Sequence, residues 1–549
     1  MSKHGASALA THHKLRLTPS VVALVLCIPA LAPLLVIAYA SFSPDTEVWK
    51  HLSQYVLPEV TANTLLLVAQ VALLSGVLGT ALAWLTAMCE FPGRRFFEWA
   101  LLLPLAVPAY VLAFVAVGFL DYAGPFQTLL REVFGSSSWF PRIRSLGGAA
   151  FVLSLATYPY VYLLARSAFL TQGRRALEAA QSLGYGRVAA SWKVALPMAR
   201  PWIFAGIALT AMETLADFGA VYIFNVRTFT TAIYGAWFGM RSVNTALQLA
   251  GVLMLFVLAA FVLERRSRAN ANFALARDVS RESPRLVLSP VMRRFACAFA
   301  ATVFAIAFVL PVIQLAIWAY ENIGDLDVRY IGFVSRSLLL AASAAAVIVA
   351  AGFVLAYMLR RFPSKLSHAV IRVATMGYAI PGTVLAVGVL VPIIYLNNTF
   401  QDLLRDWFGD GAPLLMFQGT LVAVLLGYMA RFLAVGFNPI ESGLQRITRS
   451  VDEAAISLGV SGTALLRQIH LPLLRTSLAT AATLVFVDVM KEMPITLIVR
   501  PFGWDTLAIR VFEMTAEGEW QRAALPAVAI VLAGLIPVAL LTRRGAHVA

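Results

Sequence analysis

The chain has 549 residues, of which 60% are hydrophobic and 13% are charged, and its mean hydropathy is +0.79. A water-soluble domain needs more polar surface than this, so the composition excludes ordinary soluble classes and indicates a protein whose main solvent is lipid. The formal net charge of +15 would suggest a nucleic-acid partner in a soluble protein, but here the positive residues concentrate in particular loops.

Apolar stretches long enough to cross a hydrocarbon core of about 30 Å recur along the chain. Backbone polar groups in lipid must be satisfied within the segment, so these stretches are predicted to be helices. The predicted spans are 21–41, 63–88, 99–120, 148–165, 202–223, 245–263, 295–319, 337–358, 373–396, 414–430, 476–499 and 524–542.

Two features of these spans need a separate interpretation. Basic residues precede the first span and Ala38-Tyr39-Ala40 follows most of it, a pattern that also fits a cleavable signal peptide. We expect a retained helix, because cleavage would leave an odd number of spans and break the repeat described below.

Prolines in the third and ninth spans, Pro104, Pro108 and Pro381, are expected to kink those helices and could supply a gate.

Alternate loops carry most of the Lys and Arg residues, which places those loops and both termini in the cytoplasm. The most basic of them is the linker 264–294, which we expect to lie near anionic lipid headgroups. The positive charge is therefore a signal of topology, and no nucleic acid is needed to explain it.

The two halves of the chain repeat one another at a shift of 275 residues, most clearly where 174–200 matches 449–475. An even number of spans in each half means that both halves enter the membrane from the same side, so the repeat is parallel. The predicted organisation is an N-terminal repeat at 1–263 with a cytoplasmic loop at 166–201, the linker, and a C-terminal repeat at 295–549 with a cytoplasmic loop at 431–475.

The repeated segments carry the pattern Glu-Ala-Ala-x3-Gly, followed thirteen residues later by Pro. Gly184 and Gly459 are expected at helix ends or tight turns, where a side chain would clash. Pro197 and Pro472 suit the first turn of the next helix, where the missing N–H is harmless. This pattern resembles the hallmark loop of binding-protein-dependent ABC import permeases.

The resemblance implies two coupling helices, each seated in a groove of one ATPase subunit. One would contain Glu178, Ala179, Ala180 and Gly184, and the other Glu453, Ala454, Ala455 and Gly459. Two copies of an ABC ATPase are then implied as partners, with ATP and Mg used by those subunits and no cofactor in this chain. An ordinary pair of interfacial helices is the alternative.

Two further pairs of segments, 212–219 with 227–231 and 491–496 with 500–507, look like those of the fused two-half permeases of ferric iron importers. The resemblance implies an all-α polytopic protein of the bacterial plasma (inner) membrane, with about twelve transmembrane helices in two parallel six-helix repeats. It also implies that Fe3+ arrives on a periplasmic binding protein. Thiamine, a phosphonate or a polyamine are alternative cargoes of the same importer class.

Catalytic motifs are not found in the sequence. No lysine follows a glycine, as a P-loop requires, and the seven histidines include no His-x-x-x-His pair. Cys27, Cys89 and Cys297 have neither disulfide nor metal spacing. We therefore expect a transport subunit without its own ATPase. An ion-coupled secondary transporter is the remote alternative, and it would not explain the paired cytoplasmic loops.

Four carboxylates fall inside predicted spans: Glu213 and Asp217 in the fifth, and Asp488 and Glu492 at the shifted positions in the eleventh. A charge at this depth costs roughly 2.5–3.5 kcal/mol even on lenient scales, so these side chains should face protein or a wet cavity. We predict that they line the outward half of the substrate pathway, because carboxylates suit a hard cation such as Fe(III). The alternative is structural pairing with Lys491, Arg227 or Arg500. No resident metal site is assigned.

Overall fold

The computed structural model describes residues 4–42, 46–173, 180, 182–269, 285–409, 417 and 419–546. Nearly all of them are helical, which confirms the predicted all-α class. Within these ranges eleven helical segments are long and apolar enough to cross a membrane. They are Ser20–Phe42, Trp49–Met88, Ala109–Phe134, Leu146–Thr171, Ser191–Ala216, Val243–Glu264, Pro290–Glu321, Val328–Arg361, Gly382–Phe408, Leu421–Arg446 and Gly462–Met490. The predicted span 524–542 contains a shorter apolar segment, Ala524–Leu535.

The N-terminal half contains twelve described helices and a short strand. In chain order they are α1 His4–Phe42, α2 Thr46–His51, α3 Leu57–Met88, β1 Cys89–Glu90, α4 Arg94–Ala100, α5 Ala109–Leu120, α6 Pro125–Phe134, α7 Leu146–Ala168, α8 Arg187–Ala190, α9 Leu196–Ala216, α10 Gly219–Ile223, α11 Phe229–Tyr234 and α12 Val243–Ala269. Single π-turns connect several of these, at Leu52–Val56, Phe169–Gly173, Ser191–Ala195 and Gly235–Gly239.

The C-terminal half follows the same plan. It contains β2 Leu286–Val287, α13 Pro290–Phe304, α14 Leu310–Glu321, α15 Val328–Arg361, α16 Lys365–Ala374, α17 Gly382–Phe408, α18 Leu421–Arg446, α19 Arg449–Ser457, α20 Gly462–Leu465, α21 Leu471–Met490, α22 Pro494–Val499, α23 Leu507–Ala516 and α24 Ala524–Ala546. Its π-turns are Ala305–Val309 and Leu466–His470, and 3-10 turns precede α5, α15 and α17 at Leu103–Ala106, Ile323–Asp325 and Thr375–Ala379.

The chain folds into two compact units that do not coincide with the sequence halves. The first unit combines residues 1–44 with 328–510 and 536–549. The second combines 45–327 with 511–535. The predicted repeats at 1–263 and 295–549 are therefore repeats of sequence, while each compact unit is built from distant parts of the chain.

Several predicted spans are interrupted where the sequence analysis assumed continuous helices. The expected kinks at Pro108 and Pro381 are helix starts: each proline is the N-cap of its helix, α5 or α17, and the residue before it is extended. The steric restriction that proline places on the preceding residue explains this geometry. Spans five and eleven are also broken, because α9 ends at Ala216 and α21 ends at Met490, each followed by a short helix.

In the second unit, α3 and α7 pack at close range. A Cβ built on Gly79 would come within 2.8 Å of the carbonyl oxygen of Tyr158 and 2.7 Å of the Val161 Cβ, so only glycine fits there. One turn away, the Ser75 hydroxyl hydrogen-bonds with that of Thr157 at 3.1 Å. Small residues that allow close backbone approach, with hydroxyls bonded between helices, are the usual way in which membrane helices associate.

In the first unit, α15 and α18 approach each other in the same way. A Cβ on Gly352 would lie 3.1 Å from the Phe437 backbone nitrogen, and one on Gly436 would lie 2.9 Å from the Ile348 side chain. Helix α1 packs against α16 in this unit, where the Ser20 and Ser367 hydroxyls are 3.3 Å apart. The first predicted span is thus a packed helix of the unit that contains most of the C-terminal half.

The basic linker returns to the described part of the chain at Arg285. There β2 pairs in parallel with β1, which places Arg285 3.7 Å from the Glu90 carboxylate. Arg94 contacts both Glu90 and Glu98, and Arg166 lies 3.3 Å from Glu98. An ion pair therefore holds the end of the linker to β1, and Arg94 and Glu98 of α4 extend this charged network to Arg166 of α7.

Candidate coupling loops and membrane carboxylates

The second predicted coupling helix is α19. Glu453 and Ala454 are exposed on it, while Ala455 is buried against the body of the protein. The helix therefore presents one small side chain and one carboxylate to solvent and packs its third motif residue inward. This arrangement leaves a narrow surface that a partner protein could approach closely.

Helix α19 ends in a glycine-dependent cap. Gly459 has φ +82°, its N–H donates to the Ile456 carbonyl at 2.9 Å, and the Val460 N–H donates to the Ala455 carbonyl at 2.9 Å. These two bonds form a Schellman motif, in which the left-handed residue is normally glycine. The expected steric clash is wrong, however, because a Cβ on Gly459 would meet nothing within 4 Å. The glycine is required by its backbone conformation alone.

The first predicted coupling helix is described only in part, since Glu178 and Ala179 lie outside the described residues. The described residues share part of the cap seen in α19: Gly184 has φ +87°, and the Tyr185 N–H donates to the Ala180 carbonyl at 3.0 Å. Ala180 is buried, as Ala455 is at the shifted position. Both loops thus end their motif in the same backbone geometry.

Each cap exposes a leucine directly before its glycine. Leu183 is 80% exposed and Leu458 is 83% exposed. Leucine at such exposure gains little from the fold of this chain, and its recurrence at the same place in both loops makes the pair a candidate for contact with a partner protein. The sequence repeat contained this signal, because Ser-Leu-Gly occurs at both positions.

Asp452, next to the motif, anchors α19 to the membrane helices and was missed by the sequence analysis. Arg360 donates to Oδ2 of Asp452 at 2.7 Å, and Nε2 of His470 lies 2.8 Å from Oδ1. Partial burial acts to raise the pKa of this carboxyl, but the hydrogen bonds and positive charge of its two partners outweigh burial and lower the pKa. The carboxylate is therefore held in its charged form.

Asp217 occupies the break after α9. Its Oδ1 accepts a hydrogen bond from the Val221 N–H at 3.0 Å, and its backbone carbonyl accepts one from the Thr230 hydroxyl at 2.6 Å. The prediction that Asp217 lies inside a continuous fifth helix is wrong, because Asp217 is extended and lies beyond the end of α9. Its carboxylate instead serves the start of α10, where free N–H groups attract an anion.

Glu492 precedes α22, and its carboxylate binds the N–H groups at the start of that helix, as Asp217 does for α10. It is 4% exposed, and its carboxylate accepts hydrogen bonds from the Ile495 N–H at 2.9 Å and from the Thr496 N–H at 3.1 Å. The Thr496 hydroxyl donates to it at 2.9 Å. The Arg431 guanidinium lies 3.8 Å away. The buried Glu492 carboxylate is thus stabilised by the N–H groups at the start of α22, by the Thr496 hydroxyl and by the nearby Arg431 cation.

Arg431 is a partner of Glu492 that the sequence did not indicate, since the residue falls at the start of the predicted cytoplasmic loop 431–475. Helix α18 continues to Arg446, so Arg431 lies within a helix instead. A lone arginine among the apolar residues of 421–440 is the signal that would have found it.

The other two predicted carboxylates differ in their surroundings. Asp488 pairs with Lys491 at 2.9 Å, as the structural alternative proposed, and Glu213 is half-buried on α9. Arg227 pairs with Glu59 at 3.4 Å, and Arg500 pairs with Asp505 at 3.0 Å. No three His, Cys, Asp or Glu side chains converge into a metal-binding group among the residues with described positions.

The second unit also contains a cavity of about 1010 Å³. It lies at the start of α3 and α7, away from the end of α7 that leads into the first coupling loop. Tyr222 and Tyr234 form part of its wall and pack on Phe512, with the Tyr222 ring centroid 5.0 Å from that of Phe512. Two charged residues of the wall, Glu59 and Arg227, pair with each other. The cavity is large enough for a drug-sized molecule or a loop of a partner.

Comparison with known proteins adds to this geometry. Residues 75–263 and 348–543 each match the family described as "Binding-protein-dependent transport system inner membrane component". The chain is 27% identical over 529 residues to the Fe(3+)-transport system permease protein FbpB 2 of Haemophilus influenzae, covering 95% of this chain and 96% of the relative. The sulfate transport system permease protein CysT of Salmonella typhimurium is 27% identical over 36% of this chain and 69% of its own length. The molybdenum transport system permease protein ModB of Escherichia coli is 29% identical over 28% of this chain and 69% of its own length.

The family match covers both sequence repeats, and the helices of both compact units are apolar enough to span a membrane. These findings confirm the predicted class, a multi-pass permease of the inner membrane. The chain belongs to the family of binding-protein-dependent transport system inner membrane components.

Proposed function

We propose that this permease carries ferric iron, received from a periplasmic binding protein and driven by two separate ATPase subunits. The choice of ferric iron as cargo rests on how much of this chain each relative matches. The ferric relative matches this chain almost from end to end, including the fusion of two halves, while the sulfate and molybdenum relatives match about a third of it. The separate ATPase follows from the lack of a P-loop lysine in the sequence.

The two coupling loops are the proposed docking sites for the ATPase subunits. Their support is the matching cap at Gly184 and Gly459 and the leucine that each cap exposes. Two equivalent surfaces on one chain call for two ATPase copies, and the positive-inside distribution of Lys and Arg supports a cytoplasmic location for both loops and both termini. The cavity beside α3 then faces the periplasm, where the binding protein arrives.

The four carboxylates of the fifth and eleventh segments are the proposed attractants for a cationic cargo. Asp217 and Glu492 also cap the short helices that follow them, which fixes the position of their charge. Glu213 is the carboxylate best suited to the cargo itself, since it is half-buried and lies on the helix before the cap. A transported ion needs weak contacts that it can leave, as in other permeation paths.

Reconstitution tests this function directly. The permease is co-expressed with the ATPase and binding protein encoded by neighbouring genes, purified, and placed in liposomes. We expect two ATPase copies per permease, and uptake of Fe(III) that requires ATP and the binding protein and is insensitive to a protonophore. Uptake of sulfate, molybdate, thiamine, a phosphonate or a polyamine in place of iron would contradict the cargo, and protonophore-sensitive uptake without ATP would contradict the importer class.

A further inference from the structure

The residues Arg360, Asp452 and His470 form a charged cluster that we call the anchor, and it joins the second coupling helix to three membrane helices. Arg360 lies in the last turn of α15. Besides Asp452, its guanidinium donates to the carbonyl oxygens of Leu444 at 2.7 Å and Ile447 at 2.8 Å. These carbonyls belong to the end of α18, where the helix lacks internal donors and favours a cation. One guanidinium thus holds α15, α18 and α19 together.

His470 extends the anchor to the next membrane helix. It is 2% exposed, it precedes the first residue of α21, and its ring packs edge-on against Tyr357 of α15 with centroids 5.7 Å apart. Because His470 Nε2 is hydrogen-bonded to Oδ1 of Asp452 and Arg360 to Oδ2, both carboxylate oxygens have a partner. A displacement of α19 therefore acts on α15 and α21 through bonds to a single side chain.

The first half of the sequence lacks these residue types. At the shift of 275 residues, Asp452 corresponds to Leu177 and His470 to Ala195. The match of Phe91-Pro92 with Phe362-Pro363 makes Cys89 the counterpart of Arg360. None of the three counterparts carries a charge, so the Arg, Asp and His of the anchor do not recur in the sequence at the corresponding positions of the first half. Among the described residues of the first half, ion pairs instead join α7 to α4 and the end of the linker to β1.

We propose that the anchor transmits the movement of a docked ATPase subunit to the membrane helices. The second coupling loop consequently contributes more to the coupling of ATP hydrolysis to transport than the first. Asp452 acts as a positioning residue: it holds α19 at a fixed distance from α15 and α21, so movement of the docked ATPase becomes movement of those helices. Rigid elements joined by hydrogen-bonded ion pairs are a physical means of such coupling. This inference rests on the proposed docking of ATPase subunits at the coupling loops.

The test separates coupling from folding. Asp452→Asn removes the charge with little change in shape, and Asp406→Asn, an exposed carboxylate on α17, is the matched control. Each variant is reconstituted with the ATPase and an Fe(III)-loaded binding protein, and ATP hydrolysed per ion transported is measured together with the amount of ATPase bound. We expect Asp452→Asn to bind and hydrolyse normally while the ratio of ATP to ion rises about tenfold, the effect of losing one hydrogen bond to a charged group.

A second pair of variants keeps the test decisive if Asp452→Asn folds poorly. His470→Gln can still donate to Asp452, whereas His470→Leu cannot, so the first should keep the wild-type ratio and the second should raise it. Equal ratios in both variants, or hydrolysis and uptake falling in proportion, would overturn the proposal. Failure of the wild-type permease to bind the ATPase is a different result, because it would refute the docking on which the inference rests.

Discussion

Replacing Glu492 with glutamine tests whether this carboxylate is needed as a helix cap. Its two oxygens accept three hydrogen bonds from Ile495 and Thr496, and Arg431 lies near one of them. A glutamine of the same length has one acceptor oxygen, and its NH2 group must then face one of the donors that the carboxylate served. The substitution therefore leaves at least one buried donor without an acceptor.

The expected loss of stability follows from this arrangement. A buried donor left unpaired costs about 1–3 kcal/mol, and a hydrogen bond to a charged group contributes about 1.5–3 kcal/mol. Arg431 also loses its counter-charge in a region of low dielectric constant. Together we expect Glu492→Gln to lower the free energy of unfolding by about 2–4 kcal/mol, a large effect for one substitution.

The assay is unfolding of the purified permease in detergent micelles, followed by uptake per molecule of folded protein. Glu517→Gln, at an exposed loop carboxylate, is the control and should change stability by less than about 0.5 kcal/mol. Glu213→Gln should lose uptake per molecule of folded protein, because its proposed role concerns the cargo. Wild-type stability in Glu492→Gln would refute the capping argument, and full uptake in both Glu213→Gln and Glu492→Gln would refute the pathway role.

Three further predictions concern the coupling loops. Gly459→Val should uncouple ATP hydrolysis from uptake, since a β-branched residue at positive φ costs about 1–2 kcal/mol. Gly459→Asn should keep most of the coupling, because Asn tolerates this backbone conformation. Equal activity in the two variants would contradict a role for the helix cap in coupling. Leu458→Ser should weaken ATPase binding in a pull-down, and the double variant with Leu183→Ser should abolish it, while retention of full binding would remove the leucines from the interface. Because the pKa of Asp452 is lowered in the folded state, wild type should be more stable than Asp452→Asn at any pH above the ordinary Asp pKa of about 4. This stability difference should disappear as the pH falls through the lowered pKa. A stability difference that does not depend on pH would exclude the charge as its cause.

The sequence predicted the class and the repeat because both depend on hydrophobicity and local pattern. Apolar length alone locates segments such as Val243–Glu264, and the Glu-Ala-Ala-x3-Gly pattern located the glycines at positive φ in both loops. These features are local, so no knowledge of packing was needed to find them.

The remaining features depend on contacts between distant residues. The breaks after Ala216 and Met490 lie in apolar surroundings that favour continuation of the helix. The sequence indicated a pathway role or ion pairing for the carboxylates at these breaks, but not their role as helix caps. Arg360 and Asp452 are 92 positions apart, and neither is unusual in a loop or at a helix end. Sequence periodicity contains no information about such pairs, so the anchor could only be found in three dimensions.

The composition of the two compact units has a consequence for how this protein is made. Helix α1 packs against α16, and the contact between Ser20 and Ser367 joins residues 347 positions apart. At a synthesis rate of about 5–20 residues per second, the first helix waits roughly 17–70 seconds in the bilayer before its partner leaves the ribosome. During that interval its apolar surface is covered only by lipid or by insertion factors. A gene cut in the linker would therefore yield two fragments that each lack part of their own core, and only their co-expression in one cell would restore a native permease.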